Sequence, residues 1–392
     1  MSTNNKICIF IAIPNFIVGG AERVFLNIIS NIDKRRFLIH LIIGKKRGPL
    51  FKLIPDYVIV HELGDERANK TFIPFLKLVR KIKPDIVFAT LGFVISAGLM
   101  KPFVPENTKI VIRLGNTISA HLDEVRLTSK IKYYYYYILH YLVLLLSDFI
   151  IVQSDYMKID LIRMFYFFKS RLNKIIKINN PIDSSSIIKL SSIDNVFDNS
   201  TYNTLVNNKN TLKLISVGRF DWQKGYDILI KAFKIVKEEV PNSILLIIAE
   251  GDMRPVIEKL SEDYNLSSSV FLPGEIENPY PYISASDIFV SSSRYEGFSN
   301  AVLESLVLKV PVVATDCPSG IREIIKNNEN GWLSKMGNDK IAILAHNILK
   351  AFTSLGDIDM IKESDMIIKN YGIKNISVKY ETFFMSLIKG SK

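Results

Sequence analysis

The stretch DIFVSSSRYEGFSNAVLE, residues 287–304, predicts a buried strand, a tight turn and the start of a helix. Its first residues are apolar, as in a buried strand, and the Gly and Ser-Asn residues of its second half favour a loop that ends at a helix N-terminus. Glu296 then lies at the mouth of the strand and Glu304 lies one turn into the helix. Both carboxylates can reach a ligand held over free backbone N–H groups, an arrangement that suits phosphates and sugar hydroxyls.

Strand-like and helix-like segments alternate along the whole chain, which predicts an α/β protein built on parallel sheets with helices on both faces. The predicted strands of the first half are Ile7–Ile13, Leu38–Ile43, Val58–His61, Ile86–Thr90, Ile110–Leu114, Phe149–Gln153 and Ile175–Ile178. Those of the second half are Leu212–Val217, Ile244–Ala249, Val270–Leu272, Ile288–Ser291 and Val312–Ala314. The clearest helices are Ala21–Ser30, Phe72–Ile82, Ile131–Leu146 and Ile373–Lys389.

The domain organisation follows from length and local composition. With 392 residues the chain can form two α/β domains, each with its own core. Residues 184–210 are rich in Ser, Asn and Asp without an apolar period, so they predict a linker. We therefore expect a first domain at residues 1–183 and a second at residues 211–372, with the final helix, about 373–392, outside the second.

Several protein classes are disfavoured by composition. The two cysteines and five histidines are scattered, which excludes a disulfide framework and gives no metal-ligand pattern. The N-terminal residues lead directly into the first strand, and no uncharged apolar run reaches the roughly 20 residues of a membrane-spanning helix. We expect a cytoplasmic protein without a signal peptide.

The positive charge is concentrated in the first half of the chain. The net charge is +11, yet residues 1–180 carry 27 Lys and Arg against 13 Asp and Glu. Residues 163–177 contain five cations, four aromatics and no acid, and a tyrosine run occupies residues 133–137. This combination predicts contact with an anionic membrane surface, although core aromatics beside a solvated helix end are the alternative. The predicted contacts are Arg163, Phe165, Phe167, Phe168, Lys169, Arg171 and Lys174. No nucleic-acid motif accompanies the charge, and no nucleic-acid partner is expected.

Three segments together carry a family resemblance. The Glu-(seven residues)-Glu spacing of residues 296–304 resembles the signature of family-4 glycosyltransferases, the group 1 glycosyl transferases of bacterial surface-polysaccharide synthesis. LISVGRFDWQKGY, residues 214–226, is similar to that family's strand, Gly-Arg loop and Lys-Gly helix start. Residues 19–23, Gly-Gly-Ala-Glu-Arg, are similar to its first strand-to-helix loop. The resemblance covers nearly the whole chain and implies the GT-B fold, two Rossmann-like domains that face each other across a cleft. It also implies that the final helix packs back on the first domain.

The resemblance assigns roles to residues of this chain. Arg219 and Lys224 bind the diphosphate of a nucleotide-sugar donor and stabilise the charge of the departing phosphate. Glu304 accepts hydrogen bonds from ribose hydroxyls, and Glu296 contacts the donor sugar and is a candidate catalytic carboxylate. The remaining donor-binding candidates are Gly19, Gly20, Gly218, Phe298, Ser299 and Asn300, and candidate contacts to sugar or acceptor are Arg113, Asn116 and His121. The chain departs from the family at Ser299, where many members have a second Gly.

We expect neither a metal nor a cofactor. The one Asp-x-Asp motif, Asp357-Ile358-Asp359, lies in a late helical region and not at a strand end, so it predicts a helix start. Arg219 and Lys224 take the place that a metal ion has in glycosyltransferases of the other major fold.

The leading hypothesis is a retaining glycosyltransferase that transfers a sugar from a UDP-sugar to a lipid-linked glycan for lipopolysaccharide, O-antigen or capsule. It would work as a peripheral protein on the cytoplasmic face of the inner membrane. The run at residues 278–283 resembles relatives that use UDP-N-acetylhexosamines. One alternative is a nucleotide-sugar epimerase, which needs no acceptor. Another is a non-catalytic membrane scaffold, against which the intact Arg219, Lys224, Glu296 and Glu304 argue.

Overall fold

The computed structural model describes residues 6–17, 19–193 and 210–389. Two compact units divide the chain: Met1–Pro181 with Ile373–Lys392, and Ile182–Gly372. Each unit is built on one parallel sheet with helices on both faces.

The first unit contains a seven-stranded parallel sheet in the order β3-β2-β1-β4-β5-β6-β7. Its strands are β1 Ile7–Ile13, β2 Phe37–Ile43, β3 Ile59–Glu62, β4 Ile86–Thr90, β5 Lys109–Arg113, β6 Phe149–Val152 and β7 Ile175–Lys177. Its helices are α1 Gly20–Asn31, α2 Ala68–Ile82, α3 Phe93–Leu99, α4 Ile118–Thr128, α5 Lys130–Leu146, α6 Asp155–Met164 and the last helix of the chain, α15 Ile373–Lys389.

Both faces of this sheet are buried, which explains why its central strands are apolar at consecutive positions. Phe10 and Ala12 of β1 lie in a core cluster with residues of α2 and α3, whereas Ile9 and Ile11 lie in a second cluster with α1 and α15. The α15 ring of Phe384 packs edge-on at 5.4 Å from Phe88 of β4. The last helix is therefore part of the core of the first unit.

The second unit contains a six-stranded parallel sheet in the order β10-β9-β8-β11-β12-β13. Its strands are β8 Leu212–Arg219, β9 Ser243–Glu250, β10 Val270–Phe271, β11 Ile288–Ser291, β12 Val312–Asp316 and β13 Gly331–Lys335. Its helices are α7 Ser184–Ser191, α8 Tyr226–Glu239, α9 Arg254–Asp263, α10 Tyr280–Ser284, α11 Asn300–Val307, α12 Ile321–Ile324, α13 Lys340–Thr353 and α14 Met360–Tyr371.

The strand order of each sheet reverses beside its first strand. β1 pairs with β2 on one side and β4 on the other, and β8 pairs with β9 and β11 in the same way. In open α/β sheets, ligands bind beyond the carboxyl ends of the strands at such a switch point. In the second unit this point lies between the ends of β8, at Arg219, and β11, at Ser291.

Part of the predicted linker is a helix. Residues 184–191 form α7, and the Asp183 side chain accepts a 3.1 Å hydrogen bond from the Ser186 N–H at its start. Ile187 is buried in the core of the second unit, and the Asn278 side chain donates to the Leu190 carbonyl at 2.9 Å. The serine-rich sequence hides this helix because few of its side chains face the core. Residues 194–209 of the predicted linker lie outside the described residues.

The prediction of Phe165 and Phe168 as surface aromatics is wrong. Their side chains are 1% and 0% exposed and belong to the core of the first unit, where the Phe165 ring lies 5.1 Å from that of Tyr137. Phe167 is partly buried. Arg163, Lys169 and Arg171 are exposed, and partly buried Lys174 donates to the Ser147 carbonyl at 3.3 Å. The segment thus contributes three of its cations to the surface and two of its aromatics to the core.

Candidate active site

The loop that follows β8 places a lysine at the mouth of the second sheet. The Asp221 carboxylate accepts a 3.1 Å hydrogen bond from the Lys224 N–H and so closes a single turn over Trp222–Lys224. Gly225 then adopts a left-handed φ of +62° before α8 begins. A Cβ at this position would clash with the carbonyl oxygen of Ser292, so a glycine is needed where this loop meets the loop after β11.

Lys224 and Glu296 form the centre of the site. The Lys224 Nζ lies 2.5 Å from Oε1 of Glu296. The Ser293 hydroxyl donates to the same oxygen at 2.8 Å, and the Gln223 amide donates to Oε2 at 3.2 Å. Glu296 is only 8% exposed, so these donors compensate for the loss of hydration of its carboxylate. The carboxylate is a fixed anion whose two oxygens both accept hydrogen bonds.

Gly218 leaves the space that the lysine side chain needs. A Cβ at Gly218 would lie 2.7 Å from the Tyr226 hydroxyl and 3.3 Å from Cε of Lys224. Any larger residue would displace one of these two side chains. Gly218 at the end of β8 therefore has a steric role in positioning Lys224.

Arg219 is the exposed cation of the site. Its side chain is 71% exposed and pairs with Oδ2 of Asp221 at 3.2 Å. Burial raises the pKa of Asp221, and the positive charges of Arg219 and Lys224 offset only part of this shift. An exposed guanidinium at a strand mouth can bind an anionic ligand through two parallel N–H groups.

A second ion pair holds the two loops together. Arg294 donates to both oxygens of Asp227 on α8, at 2.8 and 2.7 Å, and its guanidinium stacks 3.4 Å from the ring centre of Trp222. Its backbone N–H also donates to the Gln223 carbonyl at 2.7 Å. Burial raises the pKa of Asp227, but the hydrogen bonds and charge of Arg294 outweigh it, and the pKa is lowered. Arg294 thus joins the loop that carries Glu296 to the loop that carries Lys224.

Helix α11 begins where the sequence predicted a helix N-terminus. Ser299 is the N-cap residue and Asn300 the first helical residue, so Glu304 lies one turn into the helix and is partly buried. The Tyr280 hydroxyl lies 3.5 Å from Oε1 of Glu304. The Phe298 ring is 6% exposed and packs 5.4 Å from that of Tyr371, which leaves the backbone of this residue as its candidate ligand-binding group.

A small polar cavity adjoins these residues. Its volume is about 10 Å³, roughly the space of one water molecule. Its polar lining includes Lys224 from the loop after β8 and Tyr226 from the start of α8. Ser292, Ser293 and Ser299 line it from the loop after β11. Burial raises the pKa of the Tyr226 phenol, so this group stays protonated beside the cavity.

The glycine loop of the first unit lies over a buried carboxylate. Gly19 precedes α1, and a Cβ on it would clash with Oε2 of Glu22, which is 7% exposed. Arg113 is 2% exposed and donates a 2.5 Å hydrogen bond to Oδ1 of Asn180. Burial lowers the pKa of Arg113, against the opposing effects of Tyr380 and Glu22. The Arg113 side chain is therefore buried within the first unit, which opposes the prediction that it contacts the sugar or acceptor.

The other candidates of the first unit lie near the surface. Gly20 is exposed, and Asn116 is partly buried in the loop between β5 and α4. His121 is partly buried in the first turns of α4, where its N–H donates to the Thr117 carbonyl at 3.2 Å.

Comparisons with known proteins identify the family. A profile described as Glycosyl transferases group 1 matches residues 201–364. An uncharacterized glycosyltransferase of Methanocaldococcus jannaschii is 34% identical over 307 residues, which cover 76% of this chain and 68% of that protein. The chain belongs to the group 1 glycosyl transferases.

A second sequence relative and a solved structure are also similar to this group 1 glycosyl transferase. The N-acetylgalactosamine-N,N'-diacetylbacillosaminyl-diphospho-undecaprenol 4-alpha-N-acetylgalactosaminyltransferase of Campylobacter jejuni is 28% identical over 332 residues, 82% of this chain and 84% of that protein. The structure of Anabaena HepE in complex with UDP-glucose superposes with a TM-score of 0.75 at 16% identity and covers 97% of this chain and 100% of that one. The protein is thus a glycosyltransferase with the GT-B fold. Over 125 residues, 32% of this chain and 35% of the other protein, it is also 32% identical to a lipopolysaccharide core biosynthesis glycosyltransferase of Rhizobium meliloti.

Four supporting residues of this glycosyltransferase were not predicted from the sequence. Ser293 and Gln223 bind Glu296, Glu22 underlies the glycine loop, and Asp227 anchors Arg294. The serine run directly after β11 was a detectable signal, because polar residues at a strand end point to a site. No local pattern connects Asp227 with Arg294, since they are 67 positions apart.

The Asp-x-Asp motif lies at a helix start, as predicted. The Asp359 carboxylate accepts a 3.1 Å hydrogen bond from the Lys362 N–H and caps α14. Asp357 ends the short turn before it. Among the described residues, no cluster of three His, Cys, Asp or Glu side chains has a geometry suited to a metal ion.

Proposed function

We propose that this glycosyltransferase transfers an N-acetylhexosamine from its UDP-sugar to a lipid-linked glycan with retention of the anomeric configuration and without a metal ion. The observation that carries the proposal is the contact of Lys224 with Glu296 at the mouth of the second sheet, beside the exposed Arg219. This arrangement offers one fixed and one exposed cation to a diphosphate, and a fixed carboxylate to sugar hydroxyls.

The two cations suit the leaving group. When the bond between the anomeric carbon and the phosphate oxygen breaks, negative charge accumulates on UDP. Lys224 is fixed by its loop and by Glu296, whereas Arg219 is exposed and can turn towards the diphosphate. Each charge-assisted hydrogen bond contributes about 1.5–3 kcal/mol. In this proposal Glu304, one turn into α11, accepts hydrogen bonds from the ribose hydroxyls.

The hydrogen bonds of Glu296 support front-face substitution. Lys224 and Ser293 donate to one oxygen and Gln223 donates to the other, which leaves this carboxylate poorly disposed to attack carbon as a nucleophile. In the proposed step the anomeric carbon loses the phosphate oxygen and gains the acceptor oxygen on the same face. The acceptor proton passes to the departing phosphate oxygen. The products are UDP and an α-glycoside.

The relatives and one contact support the choice of substrates. The name of the C. jejuni relative specifies an α-linked N-acetylgalactosamine and a diphospho-undecaprenol acceptor, and the Anabaena structure contains UDP-glucose. In this chain the run at residues 278–283 overlaps α10, whose Tyr280 hydroxyl lies 3.5 Å from Glu304. This segment therefore adjoins the proposed nucleotide site.

The test is a transfer assay with a defined acceptor. Purified protein is incubated with UDP-N-acetylglucosamine, UDP-N-acetylgalactosamine, UDP-glucose or GDP-mannose, a short-chain polyprenyl-diphosphate glycan, and EDTA. We expect UDP release from an N-acetylhexosamine donor only when acceptor is present, and an α linkage by NMR. A β linkage, a need for added Mg²⁺ or Mn²⁺, or epimerised UDP-sugar without acceptor would each refute part of the proposal.

A matched pair of variants connects the activity to the site. Lys224→Ala should lower turnover by about 10²–10³, the usual cost of removing a fixed transition-state donor. Lys259→Ala removes an exposed lysine from α9 of the same unit and should leave turnover unchanged.

A further inference from the structure

Helix α5 carries an apolar stripe on its outward face. The stripe consists of Ile131, Tyr134, Tyr135, Ile138, Tyr141 and Leu142, here called the α5 ridge, and their side chains are between 37% and 83% exposed. Their spacing is that of one helical face. Contiguous exposed apolar side chains of this kind mark a surface that binds something other than water.

The inward face of α5 is apolar as well. Val143 and Leu144 are buried in the core of the first unit, and Tyr133 and Tyr137 pack against it. A helix that is apolar on all sides belongs in a protein core or at a membrane. Because α5 lies at the surface of its unit, its outward face is not covered by the residues that the structure describes, although its composition favours cover.

The surroundings of the ridge are basic. Helix α5 contains no acidic residue, and Lys130 and Lys132 are exposed at its start. The segment at residues 166–171 lies alongside, since the Phe167 ring lies 5.1 Å from that of Tyr141. It adds Lys169 and Arg171, both exposed, and Tyr166, which is 72% exposed. The acids of the neighbouring α4 are Asp123 and Glu124.

We propose that the α5 ridge and its basic rim dock on an anionic lipid bilayer, with α5 lying in the plane of the headgroups. Tyrosine suits this position because its ring is apolar and its hydroxyl is polar, and the rim lysines and arginine attract anionic headgroups. A second copy of this chain is the less suitable partner, because a symmetric contact would bring two sets of the same cations together. The inference rests on the proposed function, since a lipid-linked acceptor is held in a bilayer.

The dimensions of the helix agree with this orientation. Its 17 residues correspond to a length of roughly 25 Å, long enough to lie along the interface. In the part of the chain that the structure describes, no helix has the length and apolar character needed to cross a bilayer. Contact through one face of a surface helix is therefore the geometry that the ridge supports.

Vesicle sedimentation tests the proposal without any use of activity. The ridge variant combines Tyr134→Ser, Tyr135→Ser and Ile138→Ser. The control combines Leu53→Ser, Ile73→Ser and Phe103→Ser, which remove apolar side chains of comparable exposure, 51–61%, elsewhere in the same unit. Each protein is mixed with phosphatidylcholine vesicles with and without phosphatidylglycerol. We expect the parent to bind the anionic vesicles, the ridge variant to lose about a hundredfold in partition coefficient, and the control to stay within about twofold.

Several outcomes would overturn the docking surface. One is a ridge variant that is folded by circular dichroism and binds like the parent, and another is a parent that binds neutral and anionic vesicles equally. A third is a parent that is dimeric and a ridge variant that is monomeric by analytical ultracentrifugation, which would assign the ridge to a second copy. UDP release with a soluble short-chain acceptor is measured separately. Ridge-dependent binding without UDP release would refute the proposed function and leave the docking surface intact.

Discussion

Arg294 and Asp227 form a two-pronged ion pair, with Nη1 to Oδ1 at 2.8 Å and Nη2 to Oδ2 at 2.7 Å. The side chains are only 15% and 19% exposed. The pair connects the loop that carries Glu296 with the helix that follows Lys224, and so it holds together the two elements that carry the central side chains of the candidate active site. Arg294 and Asp227 act on the site through these two elements, so we regard them as positioning residues.

Arg294→Lys should therefore impair both stability and turnover. Lysine keeps the charge but loses the planar fork and the stacking on Trp222. We expect a loss of about 1–3 kcal/mol in the free energy of unfolding, measured by urea denaturation, because the two hydrogen bonds are charge-assisted and poorly hydrated. We expect kcat to fall more than KM rises, since the loop would hold Glu296 less firmly. Arg322→Lys is the control: Arg322 makes a similar fork with Asp316 at 2.6 Å, but it is 73% exposed. Its replacement should cost less than about 1 kcal/mol.

The contact of Lys224 with Glu296 gives a prediction that separates stability from catalysis. Lys224→Ala leaves a carboxylate of 8% exposure without its counter-charge, so we expect a loss of stability of about 3 kcal/mol as well as of turnover. Adding Glu296→Gln to this variant removes the unpaired charge. The double variant should recover most of the stability, measured as the urea midpoint, and none of the turnover. Recovery of turnover would show that Lys224 acts only by neutralising Glu296.

Gly225 gives a test of backbone geometry. Its φ of +62° and the clash that a Cβ would make with the Ser292 carbonyl both oppose an alanine. Gly225→Ala should destabilise the protein by about 1–3 kcal/mol and raise KM for the nucleotide sugar, because the Lys224 loop must shift. At Gly356, nothing lies within 4 Å of a built Cβ. Gly356→Ala should therefore change stability by less than about 1 kcal/mol. Equal effects of the two substitutions would contradict this explanation of Gly225.

Most of the fold could be predicted from the sequence because buried parallel strands are apolar at consecutive positions. The interval Ile288–Ser291 was predicted with its observed ends, as were Ile7–Ile13 and Ile86–Thr90. Strand β13, Gly331–Lys335, was not predicted, because an edge strand that contains Gly, Ser and Lys has no apolar run. Gly331 is required there, since a Cβ would clash with the Val312 carbonyl, but this requirement appears only when the strands are paired.

The site was predictable where a residue type at a strand end indicates the chemistry, and not where burial depends on distant segments. Lys224 and Glu296 follow two strand ends that are adjacent in the sheet, and the structure brings them together. Arg113 also ends a strand, but its guanidinium lies beside Asn180 and Tyr380. Tyr380 belongs to the last helix, which lies far along the chain. The sequence around β5 therefore cannot show that Tyr380 of the last helix lies beside Arg113.

A pair of histidines in the first unit should make the stability of the protein depend on pH. Nδ1 of His40 lies 2.8 Å from Nε2 of His61, on the neighbouring strand. Burial and the charge of His61 lower the pKa of His40, and burial and the charge of Lys81 lower that of His61. Both rings are thus neutral in the folded protein at a pH where the unfolded chain, with a histidine pKa of 6.5, already takes up protons. The stability that the neutral pair provides is present above pH 6.5 and is lost as the pH falls below it.

Urea denaturation at a series of pH values from about 7.5 to about 5.5 measures this effect, because histidine is the side chain whose ordinary pKa lies in that interval. As the pH falls, each histidine that cannot accept a proton in the folded protein lowers the free energy of unfolding by up to about 1.4 kcal/mol per pH unit. The double variant His40→Gln, His61→Gln should therefore lose less stability than the parent over this range, with a remainder from His140, whose pKa burial also lowers. His346→Gln, at an exposed position of α13, should retain the full dependence of the parent. If the double variant and the parent lost stability in parallel, the histidine pair would take up a proton in the folded protein as readily as in the unfolded chain. That result would contradict the prediction.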